Sequence, residues 1–158
     1  MIDANAATAG LTYRFVAPSR ADTPRLARDW MAMVLRAARW QGPVEPARLC
    51  TSEVVTNAYR HTDTAEIAVE AALTDGCLTV YVYDSAPERW PAVGRGLLDS
   101  GGRGLALVAA YADDWSVVTA GGAGKAVWFR FGSGTGAPAV GPGHPPPALE
   151  PVRPVPPR

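Results

Sequence analysis

The sequence predicts an α+β protein, a two-layer sandwich with a mixed β-sheet and helices on one of its faces. Three observations carry that prediction. Short segments with period-2 alternation and longer segments with helical spacing follow one another as strand, two helices, strand pair, helix, strand pair. A doubly wound fold would alternate strands with helices, so helices gathered on one side of a sheet fit this order better. Each strand pair also has its own turn signal, Asp75-Gly76 in the first and Gly121-Gly122-Ala123-Gly124 in the second. Finally, 158 residues of which 47% are hydrophobic are enough for one core without disulfide or metal staples.

The elements follow in order. Leu11 to Val16 reads as a short strand. Asp22-Thr23-Pro24 starts a helix, because proline is tolerated in the first turn, where its missing N–H costs nothing. Leu26, Trp30, Met33, Ala37 and Trp40 recur at spacings of four and three and are expected to form its buried stripe. Arg25, Arg28, Arg36 and Arg39 gather on a neighbouring face, which is either solvated surface or a partner-docking face. Gly42-Pro43 ends this helix, and a second runs from about Pro46 to His61. Ala65 to Leu73 and Cys77 to Asp84 alternate as the two arms of a hairpin. A long connection from Ser85 to Gly102 leads to a short apolar helix, Gly104 to Tyr111. Trp115 to Ala120 and Ala126 to Phe131 form the last pair.

Composition separates a domain, 11–131, from its flanks. Residues 1–10 hold no basic cluster and no apolar run, so they are expected to be a flexible N-terminus rather than a signal peptide. From Gly132 to Arg158 glycine and proline dominate, with nine of the fifteen prolines. Such a segment buries too little apolar surface to offset its ordering entropy, which implies a disordered or polyproline-type tail. Formal net charge is zero, which argues against direct nucleic-acid binding and against a polybasic membrane patch. No run approaches the roughly 18 apolar residues of a membrane span. Cys50 and Cys77 form neither a CxxC nor a zinc spacing, and two thiols are no disulfide framework, so a reducing compartment, the cytoplasm, is expected.

Four places carry residues suited to chemistry. On the second helix Glu53 and Asn57 stand four apart and share a face, with Arg60 and His61 one turn further on. An asparagine can offer a neutral oxygen to Mg²⁺ and a glutamate can orient or deprotonate a hydroxyl or water. Arg60 or His61 can face phosphate oxygens. An ordinary exposed helix face has the same spacing. Asp84 ends a strand in line with Leu78, Val80 and Val82, where its carboxylate needs donors. An exocyclic adenine amino group would serve, as would the backbone of the turn that follows. Gly101-Gly102-Arg103-Gly104 runs straight into a helix, either as a connector or as a phosphate cradle of free amides. Gly121 to Lys125 has the letters of a P-loop but lacks the following Ser or Thr and the following helix, so it is read as a hairpin turn.

Taken together, ExxxN on a helix, an aspartate at a strand end, GRGLALV at a helix start and GKAVWF on the last strand resemble the N box and the three glycine boxes of the GHKL (Bergerat-fold, histidine kinase-like) ATPases. The resemblance covers roughly residues 11–131. It is nearer to the bacterial anti-sigma-factor serine/threonine kinases and related actinobacterial regulators, whose N box looks like SELVTNAxRHT. That pattern stands beside Ser52-Glu53-Val54-Val55-Thr56-Asn57-Ala58-Tyr59-Arg60-His61-Thr62 here. The resemblance implies ATP and Mg²⁺ as ligands, with Asn57 on the metal, Glu53 as general base and Asp84 on the adenine amino group. It places Gly102, Arg103 and Gly104 at the lid hinge and the phosphates, and assigns Gly124 and Lys125 no contact. It implies transfer of a phosphoryl group to an anti-sigma-factor antagonist, binding of a sigma factor in transcription regulation, and a homodimer through the first strand and helix. A non-catalytic ATP-binding module that sequesters a partner is the other activity it allows. One departure stands out: other GHKL members carry glycines two and four residues after the aspartate, where this chain has Ala86 and Glu88, a loss that many of the sigma-regulator relatives share.

Overall fold

A computed structural model describes residues 10–84, 103–119 and 125–132. The N-terminus 1–9, the connection 85–102, the turn 120–124 and the tail 133–158 lie outside the described residues, and the expectations placed on them lie there too. The elements are β1 (Leu11–Pro18), α1 (Thr23–Ala37), α2 (Val44–His61), β2 (Glu66–Thr74), β3 (Cys77–Asp84), α3 (Arg103–Tyr111), β4 (Asp114–Thr119) and β5 (Lys125–Phe131). They form one five-stranded sheet in the order β1-β2-β3-β5-β4.

All four ladders are antiparallel, so the sheet is not the mixed one expected. The cause is the pair α1–α2 between β1 and β2. Two helical passes return the chain to the end it left, and the neighbouring strand must then run the other way. Hairpins supply β2–β3 and β4–β5. The first turns through Asp75 and Gly76 at φ +50° and +75°, the two left-handed positions of a type I′ turn.

The start of α1 is fixed by Thr23. Its buried hydroxyl accepts from Arg20 N at 3.0 Å and donates to Pro18 O, tying the end of β1 to the helix. Asp22 makes no side-chain cap, and Pro24 sits in the first turn as expected. The buried stripe of α1 is not the expected one. Ala27, Met31, Val34 and Leu35 face the core, whereas Leu26 and Met33 are 44% and 61% exposed. Trp30 is half-buried and packs its ring 5.5 Å from that of Phe15. Apolar residues occupy two adjacent stripes of this helix, both with helical spacing, and periodicity does not choose between them. Arg25, Arg28, Arg36 and Arg39 are exposed, as a solvated surface and a docking face both require.

One core lies between the helices and the sheet. Val54, Val55 and Ala58 of α2 and Leu105 and Val108 of α3 meet Ile67, Val69, Val80, Val82, Phe129 and Phe131. α2 packs against both α1 and α3, and α1 is further tied to it by Arg48, which lies 3.7 Å from Asp29 and 2.7 Å from Glu45. At the far end of β5, Gly132 has φ +108°, and a Cβ there would stand 2.5 Å from Gly76 O. Only glycine fits that approach to the first hairpin. Lys125 opens a strand, in keeping with the rejection of a P-loop.

Candidate functional site

The topology gathers the expected site residues at one end of the sheet. α2 ends at His61 and passes within four residues into β2 at Glu66. β2 begins beside the end of β3, where Ala68 pairs with Tyr83, and Asp84 pairs with Lys125 at the start of β5. α3 ends next to the start of β4, at the opposite end, and its first turn therefore points back toward Asp84. The last turns of α2, the end of β3 and the first turn of α3 thus meet around one edge of the core.

Within α2 the side chains divide by face. Val54, Val55 and Ala58 are buried in the core, while Glu53 and Asn57 are half-buried one turn apart, and Arg60 and His61 are exposed at the end. The threonines of this helix are satisfied locally. Thr51, Thr56 and Thr62 donate to the carbonyls of Ala47, Ser52 and Ala58 at 2.8, 2.7 and 2.6 Å. Asn57 is different, because its amide nitrogen is buried and has no hydrogen-bond partner. An unpaired buried amide costs about 1–3 kcal/mol and is tolerated where a ligand completes it. Placement of O and N in a carboxamide follows the hydrogen-bond network, so a group with no partner can present its oxygen as readily as its nitrogen. Asn57 therefore fits the neutral-oxygen role toward a magnesium ion. Glu53 lies close enough to Cys50 for its charge to act there: burial first, then Glu53, pushes that thiol up to about 12.

Asp84 is 8% exposed and lies on the helix-facing side of β3, in line with Leu78, Val80 and Val82. It is a carboxylate held inside the core edge, a setting suited to accepting from an amino group. Arg103 and Gly104 form the first turn of α3, where a helix has no carbonyls of its own for its first amides, while Gly102 lies outside the described residues. Sequence reasoning passed over Thr62 and Thr64. Both are buried where α2 turns into β2; the Thr64 backbone N–H donates to Thr62 Oγ1 at 3.4 Å, and the Thr64 hydroxyl donates to Glu66 O at 2.7 Å. They fix the exit of the helix that carries Glu53 and Asn57. The Thr-Asp-Thr run after His61 was the available signal, since hydroxyls bond locally where helices end.

A helix bearing a glutamate and an orphaned asparagine, a buried aspartate at a strand end and a helix N-terminus thus stand at one sheet edge, the kinds of group that a nucleotide site of the ATPase class would need. Comparison with known proteins agrees. The family described as histidine kinase-like ATPase domain matches residues 17–131, and the chain belongs to that family. In fold it is similar to the crystal structure of the RsbU and RsbW domains of Rv1364c from Mycobacterium tuberculosis, with a TM-score of 0.57 at 20% identity. That likeness covers 76% of this chain and 32% of the other, so this chain spans about a third of that protein. A search of curated proteins found no match. Among the described residues no helix is long and apolar enough to cross a membrane.

Proposed function

We propose that this protein is an ATP- and Mg²⁺-dependent serine/threonine protein kinase that acts as an anti-sigma factor and phosphorylates an anti-sigma-factor antagonist. The observation that carries the proposal is the pairing on α2 of half-buried Glu53 with Asn57, whose amide is buried and unpartnered. Family membership implies an ATP-binding pocket, and the RsbW domain named in the similar structure supports the regulatory reading.

Asn57 would hold the metal ion, with Arg60, His61 and the first turn of α3 facing the phosphates and Asp84 accepting from the adenine amino group. Bound Mg²⁺ supplies charge neutralisation on the phosphate oxygens. Glu53 accepts the proton of the attacking serine hydroxyl as its oxygen bonds to the γ-phosphorus, and ADP leaves with the electron pair of the broken bond. The half-buried setting of Glu53 limits the water that would compete for this proton. The second reading, a non-catalytic module that binds ATP and sequesters a partner, draws on Ala86 and Glu88 where other GHKL members carry glycine.

Titration calorimetry with ATP and Mg²⁺ tests the pocket. Wild type is expected to bind and Asn57→Ala to lose that binding. Absence of binding by wild type would remove the kinase reading altogether. Glu53→Gln is expected to keep nucleotide affinity while ATP turnover falls by about 10²- to 10⁴-fold, the usual loss of a general base. Equal turnover in both proteins would leave the binding-module reading in its place.

A further inference from the structure

The last turn of α2 is held in an unusual way for this chain. α1 and α3 close their last turns with a backbone amide: Ala38 N–H donates to Val34 O at 2.9 Å, and Ala112 N–H donates to Val108 O at 2.8 Å. At the end of α2 the chain is already extended at Thr62, with φ −131° and ψ 157°, and a short bond to Ala58 O comes from the Thr62 hydroxyl at 2.6 Å. Ala58 is among the last four residues of the helix, whose carbonyls have no later turn to meet. Apolar burial does little for this turn, because Tyr59, Arg60 and His61 are all exposed. Thr62 itself is buried.

We propose that Thr62 is a positioning residue of the nucleotide site: its hydroxyl holds the last turn of α2 and so sets Asn57, Arg60 and His61 toward Mg-ATP, with Thr64 anchoring it to the sheet. The role rests on the nucleotide-binding function proposed above. Position favours it. Ala58, whose carbonyl Thr62 holds, directly follows Asn57, and Arg60 and His61 lie between the two bonded residues. From Thr62 the bonds continue to the sheet. Thr64 N–H donates to Thr62 Oγ1, and the Thr64 hydroxyl donates to the carbonyl of Glu66, the first residue of β2. Ser19 N–H, just past β1, donates to Ala65 O at 3.0 Å and fixes the same corner from the other side. Two residues into β2, Ala68 pairs with Tyr83, the neighbour of Asp84.

Hydrogen bonds therefore run from the turn after Asn57 to the strand paired with the one that carries Asp84. The two parts of the site come from different elements, and this corner is where the chain passes from one to the other. A glycine cap would end a helix without a side chain. A hydroxyl at the same place puts the last turn under the control of one group. Valine keeps the branched shape of threonine and lacks that group. Loss of one buried hydrogen bond shifts a local equilibrium about fivefold. Nucleotide affinity follows the fraction of molecules in which the turn is closed.

The test is calorimetric titration of Mg-ATP into the full chain, with urea midpoints measured beside it. Thr62→Val is expected to weaken binding about fivefold, and Thr62→Ser, which keeps the hydroxyl, to bind as wild type does. Thr51→Val separates positioning from stability. Its hydroxyl is buried in the same helix and donates to Ala47 O at 2.8 Å, far from the last turn. That variant is expected to lower the urea midpoint and leave Mg-ATP binding unchanged. Equal binding by wild type and Thr62→Val overturns the role of Thr62 alone. So does a Thr51→Val variant that loses as much affinity, or a Thr62→Ser variant that recovers none. A wild type that binds no Mg-ATP overturns the nucleotide site and this role with it. Should Thr62→Val not fold, Thr64→Val decides: weaker binding supports the corner as the anchor of the site, and unchanged binding overturns it.

Discussion

The central strands of the sheet are buried on both faces but by different residues, and the outer face opens at its edge, where Arg14 and Val16 are exposed. On the helix side, Ala71, Val80 and Phe129 line up across the strands beneath α2. On the other side, the neighbouring row is Arg14, Glu70, Tyr81 and Trp128. The first row is aliphatic and aromatic hydrocarbon, and its cost of exposure is plain. The second mixes rings with a carboxylate and a guanidinium, groups that an open sheet face carries without penalty. The difference teaches that alternation identifies the face with the stronger demand for burial and is silent about the weaker one.

The comparison can be broken most directly by truncation on each side. Phe129→Ala, at a fully buried core position, is expected to cost about 3–5 kcal/mol of unfolding free energy. Trp128→Ala is expected to cost about 3 kcal/mol in the same urea titration, because its ring is buried. A loss below about 1 kcal/mol at Trp128 would show that the outer face is open and that the two faces differ in burial as well as in composition.

A smaller effect sharpens the electrostatic half of the contrast. Burial raises the Glu70 carboxyl above its ordinary range, and Arg14 offsets that only in part. The folded chain therefore binds this proton more tightly than the unfolded chain does. Its contribution to stability is full below the unfolded carboxylate value and is lost as pH rises through the folded one. Glu70→Gln is expected to flatten the fall in stability as pH rises above the ordinary carboxylate range, read from urea midpoints at each pH. A variant that follows the wild-type pH profile would mean that Glu70 is solvated in the native state.

Much of this was legible in the residues, and the failures are specific. The order of elements, the Asp75-Gly76 turn and the Glu53–Asn57 face of α2 follow from local chemistry, which a single chain displays in full. The stripe of α1 was misread because Leu26, Trp30 and Met33 offered the same spacing as Ala27, Met31 and Val34. Which stripe turns inward depends on β1 and α2, which supply Phe15 and Arg48 as partners. Sheet direction was missed for a similar reason, since it is decided by counting helical passes between neighbours rather than by any residue. Asp84 was legible as a strand-end carboxylate, but its burial depends on strands paired with it from far along the chain. Nothing local could show that the amide of Asn57 is left without a partner.

Alternation also places the two thiols on opposite sides of the sheet. Cys50 is sealed in the core beneath α2, whereas Cys77 is half-buried at the first hairpin and shares the side chain direction of Thr79. The sheet stands between them, so an oxidant cannot join the pair within one folded molecule. Under oxidising stress the protein can respond only through Cys77, by a mixed disulfide or by linking two copies. Non-reducing electrophoresis with peptide mapping is expected to find Cys77 adducts alone, and an internal Cys50–Cys77 link would mean that the sheet had opened first.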